Sequence, residues 1–180
     1  MKSIAPVAIG LIAISLAACQ TSSKSSSSST PVVQAATAQE KQATIGRVKS
    51  LAGTWNHVND KGESHGQTVF AVGGGNTVRE VMFPGTTHEM TNMYHMDGTS
   101  IVCTHYCAMG NQPRMKATGA EGETIVFKLD RVSNLRSADE EYMGEMWLTF
   151  KDPNTIQERW MSFKGDKVSS DMTFTLTRAQ

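Results

Sequence analysis

Phe, Trp and Tyr together make up only 7% of the 180 residues, and neither sign of charge is in excess, with 17 Lys and Arg against 17 Asp and Glu. Affinity for nucleic acid draws on many cations set against phosphates, so a charge-balanced chain is not a polybasic binder. Long apolar runs are missing as well. The longest, from Ile4 to Ala18, covers about 15 residues against the roughly 20 that span a bilayer, and Pro6 and Gly10 interrupt it. A multi-pass membrane protein is therefore excluded. No long helical period appears after Gly53. The length excludes a multi-domain enzyme and supports one domain of about 140 residues, enough to bury a core of its own. Cysteine is confined to Cys19, Cys103 and Cys107.

The N-terminus has the layout of a secretory leader: Lys2 as the cation, the apolar run, then small residues before Cys19. Leu16-Ala17-Ala18-Cys19 resembles the lipobox of bacterial lipoproteins, in which the Cys becomes the lipidated N-terminus. The resemblance implies residues 1–18 as a removed signal peptide and Cys19 as the lipidation site. Several acyl chains are needed for stable attachment, because each buried CH₂ contributes about 0.8 kcal/mol. Gln20 after the Cys, rather than Asp, implies the outer membrane with the domain facing the periplasm. Loss of the leader removes Lys2 and no acid, leaving the mature chain one charge negative. Thr21 to Thr30 is almost wholly Ser and Thr and cannot bury apolar area, so 19–37 reads as a flexible tether and 38–180 as the domain.

Within the domain, Ile45, Val48, Leu51 and Ala52 fall on one face of a short helix from Ala38 to Ala52, with Gly53 as its cap. Short β-branched and aromatic runs follow: Thr54–Val58, Gln67–Val72, Asn76–Phe83, Glu89–Met96, Thr99–Cys107, Thr124–Val132, Tyr142–Phe150, Thr155–Phe163 and Ser170–Arg178. Ile125, Phe127 and Leu129 share a face, as do Met146, Leu148 and Phe150, and Met172, Phe174 and Leu176. One apolar face per strand with short connections predicts an all-β, antiparallel barrel or sandwich. Gly73-Gly74-Gly75 precedes no helix and reads as a hairpin loop, not a phosphate cradle.

The two ends favour a barrel of about 8–10 strands. Gly53-Thr54-Trp55 after a helix resembles the Gly-x-Trp opening the first strand of lipocalins and other calycins, where a basic residue of the last strand stacks on the Trp. Arg178 in Thr175-Leu176-Thr177-Arg178 is the matching residue, and a cation over the Trp55 indole would close first strand to last.

Polar and soft side chains crowd His88 to Met115, which holds three of the five His and both remaining Cys. With Asp97-Gly98 as a type I′ loop, opposed residues sum to 195: Tyr94 meets Ile101, Asn92 meets Cys103, Met90 meets His105 and His88 meets Cys107. Those residues, with Met96 and Thr99, share one face. Three readings of it compete. His88, His105 and Cys107 could coordinate zinc. Cys107 could be a thiol nucleophile activated by His88 or His105. Or His88, Met90, Asn92, Tyr94, Cys103, His105 and Cys107 could line a pocket for a small, partly apolar ligand, with Arg114 at its rim or paired with Glu89. Beside these stands a barrel filled by its own side chains, without a ligand. Four residues along one strand span about 13 Å, beyond the reach of a disulfide, so Cys103 and Cys107 are expected as free thiols. Pro113 is expected to fix a turn after the strand, His57 and His65 to be solvated, and Asp139-Glu140-Glu141 to form a solvated turn.

His88-Glu89-Met90, Tyr94-His95, Thr104-His105-Tyr106-Cys107 and Asn111-Gln112-Pro113-Arg114-Met115, together with Phe83-Pro84-Gly85, resemble the recurring block of a poorly characterised group of bacterial calycin-like proteins. The likeness runs from about Leu51 to Arg178 and implies a fold and the location of a site, not an activity. Related nitrobindin-like barrels bind haem through one His, which by fold-level analogy makes haem a candidate cofactor, with His105 or His88 as ligand. The expected protein is a lipid-anchored binder of a small molecule, with no nucleic-acid partner. The competing classes are a metal, haem or thiol protein and an envelope scaffold.

Overall fold

The computed structural model describes residues 30–180, so the leader, Cys19 and most of the tether lie outside the described residues. The compact unit is Val33–Gln180. One helix, α1, precedes the sheet; it runs through Ala38–Lys41, a π-turn at Gln42–Gly46, and Arg47–Lys49. Its start is fixed by a capping box: the Thr37 hydroxyl accepts the Glu40 N–H at 3.2 Å, and the Glu40 carboxylate accepts the Thr37 N–H at 2.7 Å. Ile45 and Val48 on its inner face join the barrel core beside Trp55, Phe70 and Val78. Burying each such side chain contributes about 1.5–3 kcal/mol, which is what holds so short a helix in place.

Ten antiparallel strands follow: β1 (Gly53–Val58), β2 (Ser64–Gly73), β3 (Thr77–Met82), β4 (Met90–Asp97), β5 (Ser100–Tyr106), β6 (Gln112–Ala117), β7 (Thr124–Ser133), β8 (Glu141–Asp152), β9 (Thr155–Lys164) and β10 (Lys167–Arg178). Each pairs with its neighbours in the sequence, and β1 pairs with β10, so the sheet is a closed barrel with no free edge. The period-2 pattern puts Val78, Glu80 and Met82 of β3, Ile125 and Phe127 of β7, and Ile156, Glu158 and Trp160 of β9 inside.

Closure takes the expected form. The Arg178 guanidinium lies 4.4 Å from the centre of the Trp55 ring. It also donates to the carbonyls of Ser50 and Ala52 at 3.0 Å each, so the same side chain satisfies acceptors left where α1 ends. Gly53 is not the helix cap; Ser50 is. Gly53 opens β1 at φ 126°, and a Cβ there would meet the Arg178 guanidinium at 3.2 Å. The glycine before the Trp is therefore set by backbone geometry and by the approach of this arginine.

Two further expectations change. Opposed residues of β4 and β5 sum to 197, with Asp97 facing Ser100, Tyr94 facing Cys103 and Asn92 facing His105. The loop is Gly98-Thr99, with positive φ at Gly98 only, as a type II′ turn needs. Asp97 is held in the strand by Arg114, 2.7 Å away, and Lys116, 3.1 Å away. Moving a loop by one residue changes the sum by two, so the set of inward residues survives although every partner changes. The second change concerns Asn111 to Arg114, which is no turn: Gln112–Ala117 is β6. Pro113 is buried one position before the first residue paired to β5, where its missing N–H removes no bond to that strand.

Candidate functional site

At the end of the barrel away from α1, His65, Gly66, Gln67, Phe83, Pro84, Thr86, His88 and Met90 line an open pocket of about 490 Å³. Below it, the inward residues of the strands form a belt. His57 of β1 shares a hydrogen bond of 2.8 Å with the Thr68 hydroxyl, and Thr68 sits opposite Met82. Asn92 donates to the Met82 sulfur at 3.6 Å, and its carbonyl accepts from His105 Nδ1 at 2.7 Å. The His105 ring lies 4.9 Å from Trp160, and Phe174 lies 5.3 Å from His57. Phe83 packs on this belt, 4.6 Å from His57 and 5.9 Å from Phe174.

Next to the belt lies a buried pair of carboxyls. Glu80 accepts from the Tyr94 hydroxyl at 2.6 Å and from the Asn92 amide at 2.8 Å, and the carboxyl of Glu158 is close enough that the two affect each other's titration. Glu158 otherwise accepts only the Trp160 indole N–H, at 3.3 Å. Both residues are fully buried. Burial pushes both carboxyls up, and the Glu80 charge pushes Glu158 well up, while donors from Tyr94 and Asn92 favour the ionised form of Glu80. Glu158 therefore holds its proton to higher pH than Glu80 does. Glu80 Oε1 and Glu158 Oε1 are buried without a hydrogen-bond partner.

Both belt imidazoles are neutral. Burial lowers His105 to about 4, and burial with the neighbouring His65 lowers His57 to about 4. The Asn92 amide must point its NH₂ at Glu80, so its oxygen faces His105 and fixes Nδ1 as the protonated nitrogen. His105 Nε2 is then a bare lone pair with no partner, as His57 Nδ1 is a polar atom with none.

Of the residues expected to line a pocket, His88 and Met90 line the mouth, while Asn92, Tyr94, Cys103 and His105 are fully buried beneath it. Arg114 is not at the rim and does not pair with Glu89. It lies on the outer face of β6 between Asp97 and Asp130, and Glu89 instead accepts the Gly85 N–H at 2.6 Å. His88 stands on the exposed turn before β4, and among the described residues no three His, Cys, Asp or Glu are placed to hold a metal ion. His88, His105 and Cys107 therefore do not form the zinc set. Haem does not fit the residues named for it either. His88 is exposed on a turn, and His105 Nε2 is enclosed in packed core against Trp160. Glu140 of the Asp139-Glu140-Glu141 turn is paired with Arg136 at 2.5 Å.

His57, expected in solvent, is fully buried on β1, and His65 is exposed at the start of β2. Glu80, Glu158 and His57 are the residues sequence reasoning missed. The signal was available in the alternation: Val78-Glu80-Met82 and Ile156-Glu158-Trp160 each put a carboxyl in step with apolar neighbours.

Cys103 and Cys107 are free and buried. Burial pushes both thiols up, Cys103 well up, which is the reverse of what a nucleophile needs. In a Cys19→Ser chain at pH 7.5, a thiol reagent should therefore react slowly with the native protein and find both thiols after unfolding without reductant. Fast reaction of the native chain would restore the thiol chemistry, and absence of thiols after unfolding would mean a bridge.

No protein-family model and no curated protein matches the chain.

Proposed function

We propose that the protein is a lipid-anchored component of the bacterial envelope, held through Cys19 at the outer membrane facing the periplasm, whose calycin-like barrel binds a small, partly apolar molecule. The observation that carries this reading is the mouth pocket: about 490 Å³ walled by Phe83, Pro84 and Met90, above a belt of polar atoms. A concave apolar surface with a few polar groups at its base is the usual form of a small-molecule site. The calycin-like assignment is supported by Gly53-x-Trp55, the helix before it and the Arg178 stack. The anchoring is supported by Leu16-Ala17-Ala18-Cys19 and by the absence of charge excess, since a lipid anchor needs no basic face.

A second reading is favoured by one observation. The middle of the barrel is filled by Tyr94, Met115, Phe127, Met146 and Leu148, as an envelope scaffold would have it. One experiment addresses both. The full chain is extracted from cell envelopes and its Cys19 peptide and bound small molecules are read by mass spectrometry, alongside Met90→Trp, which fills the pocket. The binding reading expects an acylated Cys19 and a co-extracted molecule that the variant loses, with the melting temperature little changed. An acylated chain carrying nothing in either form leaves the scaffold. An unmodified Cys19 removes the anchor.

A further inference from the structure

The mouth pocket and the belt beneath it are separated by one side chain in an unfavourable backbone conformation. Phe83 has φ 52°, where a bulky residue with a Cβ is rarely found. Its ring lies 4.6 Å from the His57 ring and forms part of the pocket wall. Pro84-Gly85 follows in an exposed turn, with Gly85 at φ 75°. Gly66, the partner of His57 on β2, lies against the same ring: a Cβ there would press on Phe83 at 3.0 Å. The missing side chain at Gly66 thus gives the Phe83 ring room beside His57. Phe83 stores strain while covering a fully buried imidazole whose Nδ1 has no partner.

We propose that Phe83 is a movable cover, and that the molecule bound at the mouth is uncharged and aromatic or otherwise apolar, with a hydroxyl group that bonds His57 Nδ1 where Phe83 now lies. This rests on the mouth-pocket reading and specifies its ligand. The Thr68 hydroxyl can donate to or accept from Nε2, so Nδ1 can take either role, and a hydroxyl satisfies both. An anion is disfavoured. Among the described residues, the rings and hydrogen-bond partner next to His57 are Phe83, Phe174, His65 and Thr68, and no Lys or Arg contributes to its shift. A carboxylate brought here would lose its water without gaining a cation.

Three probes of one size separate the possibilities: 2-naphthol, naphthalene and 2-naphthoate, titrated at pH 7 against the full chain carrying Cys19→Ser. Satisfying a buried unpartnered nitrogen should make 2-naphthol bind roughly tenfold or more tighter than naphthalene, with naphthoate weakest. His57→Phe should bring naphthol to within about twofold of naphthalene, since the packing remains and the nitrogen is gone. Phe83→Leu should strengthen naphthol, because a smaller cover is easier to displace. Equal binding of naphthol and naphthalene by the unsubstituted chain, or tighter binding of naphthoate, overturns the proposal whether or not the variants fold. If Met90→Trp abolishes that equal binding, the mouth-pocket reading survives the loss. Failure of all three probes to bind overturns both.

Discussion

Replacing Glu158 by Gln should make the protein less stable than the unsubstituted chain below about pH 5 and increasingly more stable above it. Glu158 keeps its proton in the fold because burial and the Glu80 charge raise it well above the ordinary carboxyl range. A raised carboxyl contributes stability that is complete below the unfolded value and is lost as pH rises through the folded one. The slope of that loss is up to about 1.4 kcal/mol per pH unit. His57 and His105 act with the opposite sign. Both are lowered to about 4 in the fold, so their contribution is complete above the ordinary imidazole range and disappears as pH falls toward 4. The acid limb set by the two imidazoles and the alkaline limb set by Glu158 oppose each other. Stability should therefore peak near neutrality and fall on both sides. Gln has an N–H in place of the acid O–H and still donates to Glu80, at a cost of about 1 kcal/mol where the acid is comfortable. It removes the Glu158 part of the alkaline limb, so the two profiles should cross near about pH 5 and diverge by roughly 3 kcal/mol over the next two pH units. Glu80→Gln is the contrast. It replaces an acceptor of two donors, Tyr94 and Asn92, by an amide that must itself donate, and should cost about 3 kcal/mol near neutrality. Urea midpoints from about pH 4 to about pH 9 decide the matter. Parallel profiles for Glu158→Gln and the unsubstituted chain would show that Glu158 is not the group holding the proton.

That carboxyl pair also marks how far the sequence could be read. Alternation was enough to find nine of the ten strands, because a barrel wall buries one face of each strand and the pattern is local. β6 escaped because its evidence is not local. Pro113 argues for a turn on its own, and only pairing to β5 and β7 shows that its missing N–H lies where no β5 bond is required. The β4–β5 hairpin gave the right faces with the wrong partners, since face depends on parity and partnership on which residue Arg114 and Lys116 draw into the strand. At the site, Met90, Asn92, Tyr94, Cys103 and His105 were readable from the hairpin alone. What completes the belt comes from β1, β2, β9 and β10, which closure brings round to meet it, and no spacing in the chain announces that His57, Thr68, Trp160 and Phe174 share a layer with His105. Charge type misled as well. His57, beside a loop, reads as solvent-facing, yet it is buried as a neutral imidazole, and burial likewise favours the protonated form of Glu158.

The closure pair should show the largest loss of stability, and a coupling that identifies its source. Trp55 is fully buried, donates its indole N–H to the Leu51 carbonyl at 2.7 Å, and meets Phe70 edge-on at 6.4 Å. Trp55→Ala leaves a cavity at the end plugged by α1 and should cost about 3–5 kcal/mol, on the order of 10–20 °C in Tm. Trp55→Phe keeps most of the volume and loses the bond to Leu51, for roughly 1–2 kcal/mol. Arg178→Met keeps a long apolar stem over the ring but removes the cation and both donors to Ser50 and Ala52, for about 1–3 kcal/mol. If the guanidinium acts through the indole face, the Trp55→Ala, Arg178→Met double variant should lose about 1 kcal/mol less than the two single variants added together. Additivity within a few tenths would mean that Arg178 acts only on the end of the helix and that the ring beneath it is a spectator. The sign matters for the fold as a whole. β1 and β10 are joined by four pairs of residues, from Trp55 opposite Arg178 to Val58 opposite Thr175, the shortest run in the barrel alongside β5 with β6. A closed sheet is only as closed as its weakest seam, and here the side chains of the first pair carry what four rungs of backbone do not.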